Sequence, residues 1–181
     1  MNCEKVSDYR LLRNHQCSLQ ETSKDTSQEP NQFMTTCTKT VVDFDSVKTA
    51  FLGEFGQPDE KARSVDALVI DENIKYLIEF KNGDFKQREI FDKAKDSILI
   101  LNSILNRQID DSRQSDVFIL VYNQDKKNID EKEKIAMGKA KKAKQLYTLF
   151  GLGKLEGFCF SKVFTLNKQQ FEELIVEENG W

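Results

Sequence analysis

Proline is almost missing from this chain, two residues in 181, and glycine is sparse at eight. That poverty excludes collagen-like and Pro/Gly low-complexity architectures and leaves room for long regular elements. Histidine occurs once, at His15, inside a polar stretch without periodicity. Ser-His or Cys-His catalysis would depend on that one imidazole, and a surface histidine is the simpler reading. The four cysteines (Cys3, Cys17, Cys37 and Cys159) form no CxxC pair, and the chain is not small enough to need disulfide staples. Reduced thiols of a cytosolic protein are the expectation. Cys3, His15, Cys17 and Cys37 match the spacing of no common zinc module. No apolar run is long enough to span a membrane, and the opening MNCEKVSDYR lacks the apolar core of a secretory signal. Net charge is only −3, which alone neither favours nor opposes a polyanionic partner.

The length suits one domain with a sizeable core. Residues 1–36 read as irregular, most clearly the polar SLQETSKDTSQEPN, and CTKTVVD as a short β-branched strand over 37–43. From Asp45, a candidate N-cap, Val47, Ala50, Phe51 and Phe55 recur at helical spacing until Gly56 and Pro58. A long helix is expected over about 85–107, with the stripe Ile90, Ala94, Ile98, Leu101 and Leu105. DVFILVY, Asp116 to Tyr122, reads as a central strand buried on both faces. A helix over about 130–150, a strand near 155–165 and a helix over 166–178 complete the order. Helices alternating with strands imply an α/β sandwich with a mixed central sheet.

The informative stretch is SVDALVIDENIKYLIEFKNG, from Ser64 to Gly83. Two apolar runs around a polar break form a β-hairpin signature. A turn at Glu72-Asn73 pairs Ile70 with Lys75, Leu68 with Leu77 and Asp66 with Glu79. Alternation then places Asp66, Leu68, Ile70, Leu77, Glu79 and Lys81 on one face, with Val65, Ala67, Val69, Tyr76, Ile78 and Phe80 on the other. Opposed Cβ atoms lie about 4.5–5.5 Å apart, so two facing carboxylates repel unless a cation separates them. A divalent ion would do that. The alternative is a solvated strand face, against which stands the apolar, central character of both strands.

An Asp on one strand, Glu-x-Lys on the next, then a helix and a further strand resembles the PD-(D/E)xK nuclease superfamily. Here the pattern reads Asp66, twelve intervening residues, then Glu79-Phe80-Lys81. YLIEFKNG resembles free-standing bacterial and mobile-element proteins grouped with that superfamily. The likeness covers about the middle half of the chain. The literal Pro58-Asp59 pair falls among Gly, Gln and Pro, where a turn is expected, so Asp66 is the better match. The resemblance implies a restriction-endonuclease-like sandwich over 41–181 behind an irregular N-terminal extension over 1–40. It implies Mg²⁺ or Mn²⁺ held by Asp66, Glu79 and the Phe80 carbonyl, with Lys81 orienting or deprotonating the attacking water. Glu54 would supply an extra acidic ligand, or be an ordinary exposed helical residue. Gln87, four residues before Phe91, resembles a Gln-x-x-x-Tyr element of exonuclease-like members, although Phe91 is not Tyr and a surface Gln is the plainer reading.

Between Lys126 and Lys154 stand nine lysines, among them Lys139, Lys141, Lys142 and Lys144, against Asp130, Glu131 and Glu133. Early acids and late lysines suit a helix dipole; the excess also makes a patch fit for phosphate backbone. The expectation is therefore a cytoplasmic, prokaryotic or phage-borne nuclease acting on DNA or RNA. A homodimer and a regulatory or immunity protein remain open as partners. The rival expectation is a nuclease-like module that binds nucleic acid or protein without cleaving.

Overall fold

The computed structural model describes residues 5–27, 30–127, 129, 131–142 and 148–181. The chain opens with short elements: α1 (Arg10–Asn14), β1 (Gln16–Ser18), α2 (Leu19–Thr22), β2 (Lys24–Asp25) and β3 (Gln32–Phe33). β4 (Thr40–Asp43), α3 (Phe44–Glu54), β5 (Ala67–Asp71), β6 (Ile74–Lys81) and α4 (Gln87–Leu105) follow. Then come α5 (Ile109–Ser115), β7 (Asp116–Tyr122), α6 (Glu131–Lys142), β8 (Lys162–Asn167) and α7 (Lys168–Phe171), which runs on as a π turn over Glu172–Glu177.

One six-stranded sheet, β1-β4-β5-β6-β7-β8, organises them. Its first four strands are antiparallel, and β6, β7 and β8 run parallel. The fold is therefore α/β with a mixed central sheet flanked by helices. The parallel pairs need crossovers, which α4 and α6 lie within. β7 is buried at every residue, as its unbroken apolar run requires.

Two cores lie on the two faces. On one, α3 and α4 bring Phe44, Val47, Ile90, Ala94, Ile98 and Leu101 against Leu68, Leu77, Phe118 and Leu120. Each fully buried aliphatic side chain there contributes about 1.5–3 kcal/mol. On the other, α7 and its extension bring Phe171, Ile175 and Val176 against Ile78, Phe80, Ile119 and Val121. All five residues of the expected α4 stripe are buried in the first core, and α4 ends where Asn106 turns left-handed at φ 53°.

Several expectations shift. The described part of residues 1–40, expected to be irregular, is a folded flank: Cys17 on β1 pairs with Val41 on β4. Leu12, Leu19, Met34 and Cys37 are buried in the two cores. Isolated apolar residues in a polar stretch carry no period to read. Asp43, not Asp45, caps α3, its carboxylate accepting the Ser46 amide at 3.1 Å. Val65 packs in the α4-side core rather than beside Ala67, because its amide leaves the ladder to bond Ser97 Oγ at 2.9 Å. β8 starts at Lys162, after a 3-10 turn over Leu152–Leu155. Gly151 before that turn has φ +64°, and a Cβ there would meet the Gln87 amide nitrogen at 2.3 Å.

Candidate active site

The hairpin adopts the expected register, Ile70 opposite Lys75 and Leu68 opposite Leu77. Glu72 takes a left-handed φ of 50° in its turn. At the far end the two strands are unequal. Pairing of β5 with β6 stops at Ala67–Ile78, while β6 continues to Lys81. The freed Phe80 amide is taken by the Asp66 carboxylate, Oδ2 accepting at 2.6 Å. The gap opens a cleft of about 360 Å³ lined by Asp66, Phe80, Lys81 and Asn82, with residues 22–27 as its opposite wall.

α4 crosses the charged face of the hairpin. Glu89, Lys93, Asp96 and Ser97 recur at helical spacing along one side of it. Asp96 and Ser97 accept the backbone amides of Arg63 and Val65 at 2.9 Å each, so this side of α4 is fixed against the approach to β5. Lys93 consequently reaches across the acids: its Nζ lies 2.8 Å from Glu79 Oε1, 2.9 Å from Oε2 and 3.5 Å from Asp66 Oδ1. Lys81 Nζ lies 3.1 Å from Glu79 Oε1 and 2.8 Å from Glu89 Oε1. The cation between the facing carboxylates is thus an ammonium supplied by the chain itself.

Burial dominates the electrostatics. Glu79 is fully buried, while the Asp66, Lys81 and Lys93 side chains keep 17%, 19% and 15% exposure. Burial, reinforced by the Glu79 charge, pushes the Asp66 carboxyl up to about 8, against the downward pull of Lys93 and the Phe80 amide. Burial also raises Glu79, opposed by Lys93 and Lys81. For Lys81, burial favours the neutral amine, but Glu79 and Glu89 outweigh it and the net shift is upward. Lys81 is therefore held as an ammonium in this arrangement, a donor and point charge rather than a base. Glu89 is lowered by its bond to Lys81.

The donor set suits a hard cation. Two carboxylates meet Mg²⁺'s preference for oxygen, with water and substrate completing its shell. Asp66 and Glu79, bridged by one ammonium, are the acids that could hold such an ion. Glu79 Oε1 is buried between two ammonium groups, Lys93 at 2.8 Å and Lys81 at 3.1 Å.

Of the sequence-derived residues, Asp66, Glu79 and Lys81 come together. Phe80 joins through its backbone amide, its ring packing edge-on to Phe171 at 5.7 Å in the opposite core. Glu54 does not join: it ion-pairs with Arg10 near the far end of α3. Asp45, nine residues earlier or roughly 13 Å along the helix, is the α3 acid whose charge reaches Asp66 and Lys93. Gln87 does not join either; it is exposed, with its amide against Gly151. Asp59 lies in a 3-10 turn, accepting bonds from Lys48 and Thr49. Lys93 and Glu89 were missed, though four-residue spacing beside the Ile90–Ala94 stripe places them on the edge nearest the sheet.

The basic stretch divides. Lys127 is spent on structure, bonded to Asp84 and the Phe85 carbonyl and sitting 4.1 Å from the Phe85 ring centroid. Lys126 bonds Gln32 at 3.1 Å, and Lys134 lies 3.8 Å from Glu131. Lys139, Lys141 and Lys142 fall on the backbone of α6, their side chains outside the described part, and Lys144 lies outside the described residues. Among the described residues no helix is long and apolar enough to cross a membrane. No protein-family model, curated protein or solved structure matches this chain.

Proposed function

We propose that this chain is a Mg²⁺- or Mn²⁺-dependent phosphodiesterase acting on DNA or RNA, with a site of the PD-(D/E)xK kind on a restriction-endonuclease-like sandwich. One observation carries the reading. Two acids from adjacent β segments share one cationic neighbour, and one of them, Asp66, lines an open cleft. Asp66 and Glu79 would hold the metal. When bound, it would polarise a phosphate oxygen and lower the pKa of a coordinated water. Lys81, as an ammonium, orients the water and stabilises negative charge developing on the phosphate. Glu89 holds Lys81 from the solvent side. The Phe80 amide fixes the Asp66 carboxylate through Oδ2, leaving Oδ1 towards Lys93.

A non-catalytic module is the second reading, favoured by Lys93, which already balances the two acids from within the chain. One assay separates the two. The protein is incubated with plasmid, single-stranded DNA and RNA in Mg²⁺, Mn²⁺ or EDTA, beside Lys81→Ala. Metal-dependent cleavage lost in Lys81→Ala is the expected result. Binding without cleavage under every condition would leave the module.

A further inference from the structure

We infer that Lys93 is a built-in stand-in for the divalent cation: its ammonium holds Asp66 and Glu79 in a metal-ready arrangement and must leave for the ion to bind. The inference rests on the metal reading above and adds a positioning residue to it.

The geometry leaves room for one cation, not two. Lys93 Nζ contacts both oxygens of Glu79 and lies 3.5 Å from the nearer oxygen of Asp66. A Mg²⁺ ion takes carboxylate oxygens at about 2.0–2.1 Å, so an ion shared by these two acids occupies the region where the ammonium sits. Two positive charges at that separation repel strongly in a half-buried pocket. The lysine stem is long and flexible, and other acids lie within its reach. Glu89 stands one helical turn back on α4 and feels the Lys93 charge, as does Asp45 at the start of α3. Metal binding then exchanges one set of ion pairs for another instead of burying an uncompensated charge.

Without such a stand-in the two acids would face one another with only Lys81, on the Glu79 side, to offset their charge. Lys93 therefore stabilises the empty site and lowers metal affinity at once. A merely structural lysine would behave differently, because its loss would loosen the site and weaken metal binding along with the fold.

The test compares wild-type, Lys93→Met, Lys93→Arg and Glu79→Gln full-length chains, by calorimetric titration with Mn²⁺ and by thermal unfolding with Mn²⁺ or EDTA. Lys93→Met is expected to unfold at lower temperature in EDTA, to gain more from Mn²⁺ than wild type does, and to bind Mn²⁺ roughly ten- to a hundredfold more tightly. That range is the worth of one charge-assisted hydrogen bond. Lys93→Arg keeps the charge in a fork that grips carboxylates bidentately, and is expected to bind Mn²⁺ more weakly than wild type. It decides the matter if Lys93→Met does not fold. Glu79→Gln should lose the Mn²⁺ response.

Wild type binding Mn²⁺ while Lys93→Met binds equally or more weakly would overturn the inference and leave the hydrolase reading standing. Binding by Lys93→Met alone would support Lys93 as the blocking group and count against the wild-type chain as a metal enzyme. No binding by any variant would overturn both.

Discussion

Two buried acids in this protein meet cations in opposite ways. Asp116, at the start of β7, is fully buried and receives Arg107 Nη1 at 3.1 Å on one oxygen and Nη2 at 2.6 Å on the other, with Ser115 Oγ adding 2.9 Å. Asn102 steadies the same guanidinium at 3.0 Å. One acid faces one cation, and both its oxygens are satisfied. Glu79 is equally buried, yet it faces two ammonium groups and neighbours a second acid. Three carboxyl groups, Asp66, Glu79 and Glu89, share two ammonium groups there. A one-to-one bidentate pair fixes the chain; a cluster whose acids and ammonium groups are shared can exchange one cation for another. The difference lies in donor geometry, since burial is the same.

The sharpest way to break that comparison is to remove one partner from each cluster. Arg107→Met leaves Asp116 buried and unpaired and should cost about 3–5 kcal/mol of stability, read by urea unfolding, with Mn²⁺ affinity of the folded protein unchanged. Glu79→Gln removes a charge that burial already disfavours, and its stability cost should be much smaller. Equal losses in the two variants would mean that the Glu79 cluster is also a structural ion pair.

A pH series sharpens the same contrast. Asp66 has its ordinary value of 3.8 when unfolded and about 8 when folded. Between those values the native state binds its proton more firmly, so stability falls as pH rises from about 4 to about 8. Asp66→Asn cannot ionise, and its carbonyl oxygen still accepts from the Phe80 amide. In EDTA the variant should match wild type near pH 4 and exceed it by about 1–4 kcal/mol at pH 8, measured by chemical unfolding across the range. A wild-type profile parallel to that of the variant would show that Lys93 keeps Asp66 ionised throughout.

Much of this contrast was legible before any fold. The hairpin register follows from two alternating runs and a two-residue break, and it places Asp66 opposite Glu79 with Lys81 beside them. The α4 stripe and the buried β7 follow from periodicity and from an unbroken apolar run. Lys93 was harder to see, since a lysine bordering an apolar stripe usually lies along the surface with its amine in water. Only the docking angle of α4, fixed where Asp96 and Ser97 bond the backbone at Arg63 and Val65, sends it inward. The folding of the first forty residues was hidden for another reason. Leu12, Leu19 and Met34 are buried singly by contacts distant in sequence, and such contacts leave no local pattern. Glu54 and Gln87 came from a motif's expected neighbourhood, and helix geometry carries both elsewhere.

The smallest effect belongs to the exposed end of the same scale. Lys134 and Glu131, three residues apart on α6, lie 3.8 Å from one another with side chains 60% and 89% exposed. An exposed pair of this kind is worth at most about 0.5 kcal/mol once entropy and salt screening act, so Lys134→Ala should leave urea unfolding unchanged within error. Its use, if the basic helix meets phosphate, is in binding. Neutralising one phosphate contact lowers the slope of log affinity against log salt by about one, uniformly across sequences. Fluorescence anisotropy with labelled single- and double-stranded DNA and with RNA, from low to moderate salt, reads that slope. A slope identical to wild type on all three would remove Lys134 from the interface.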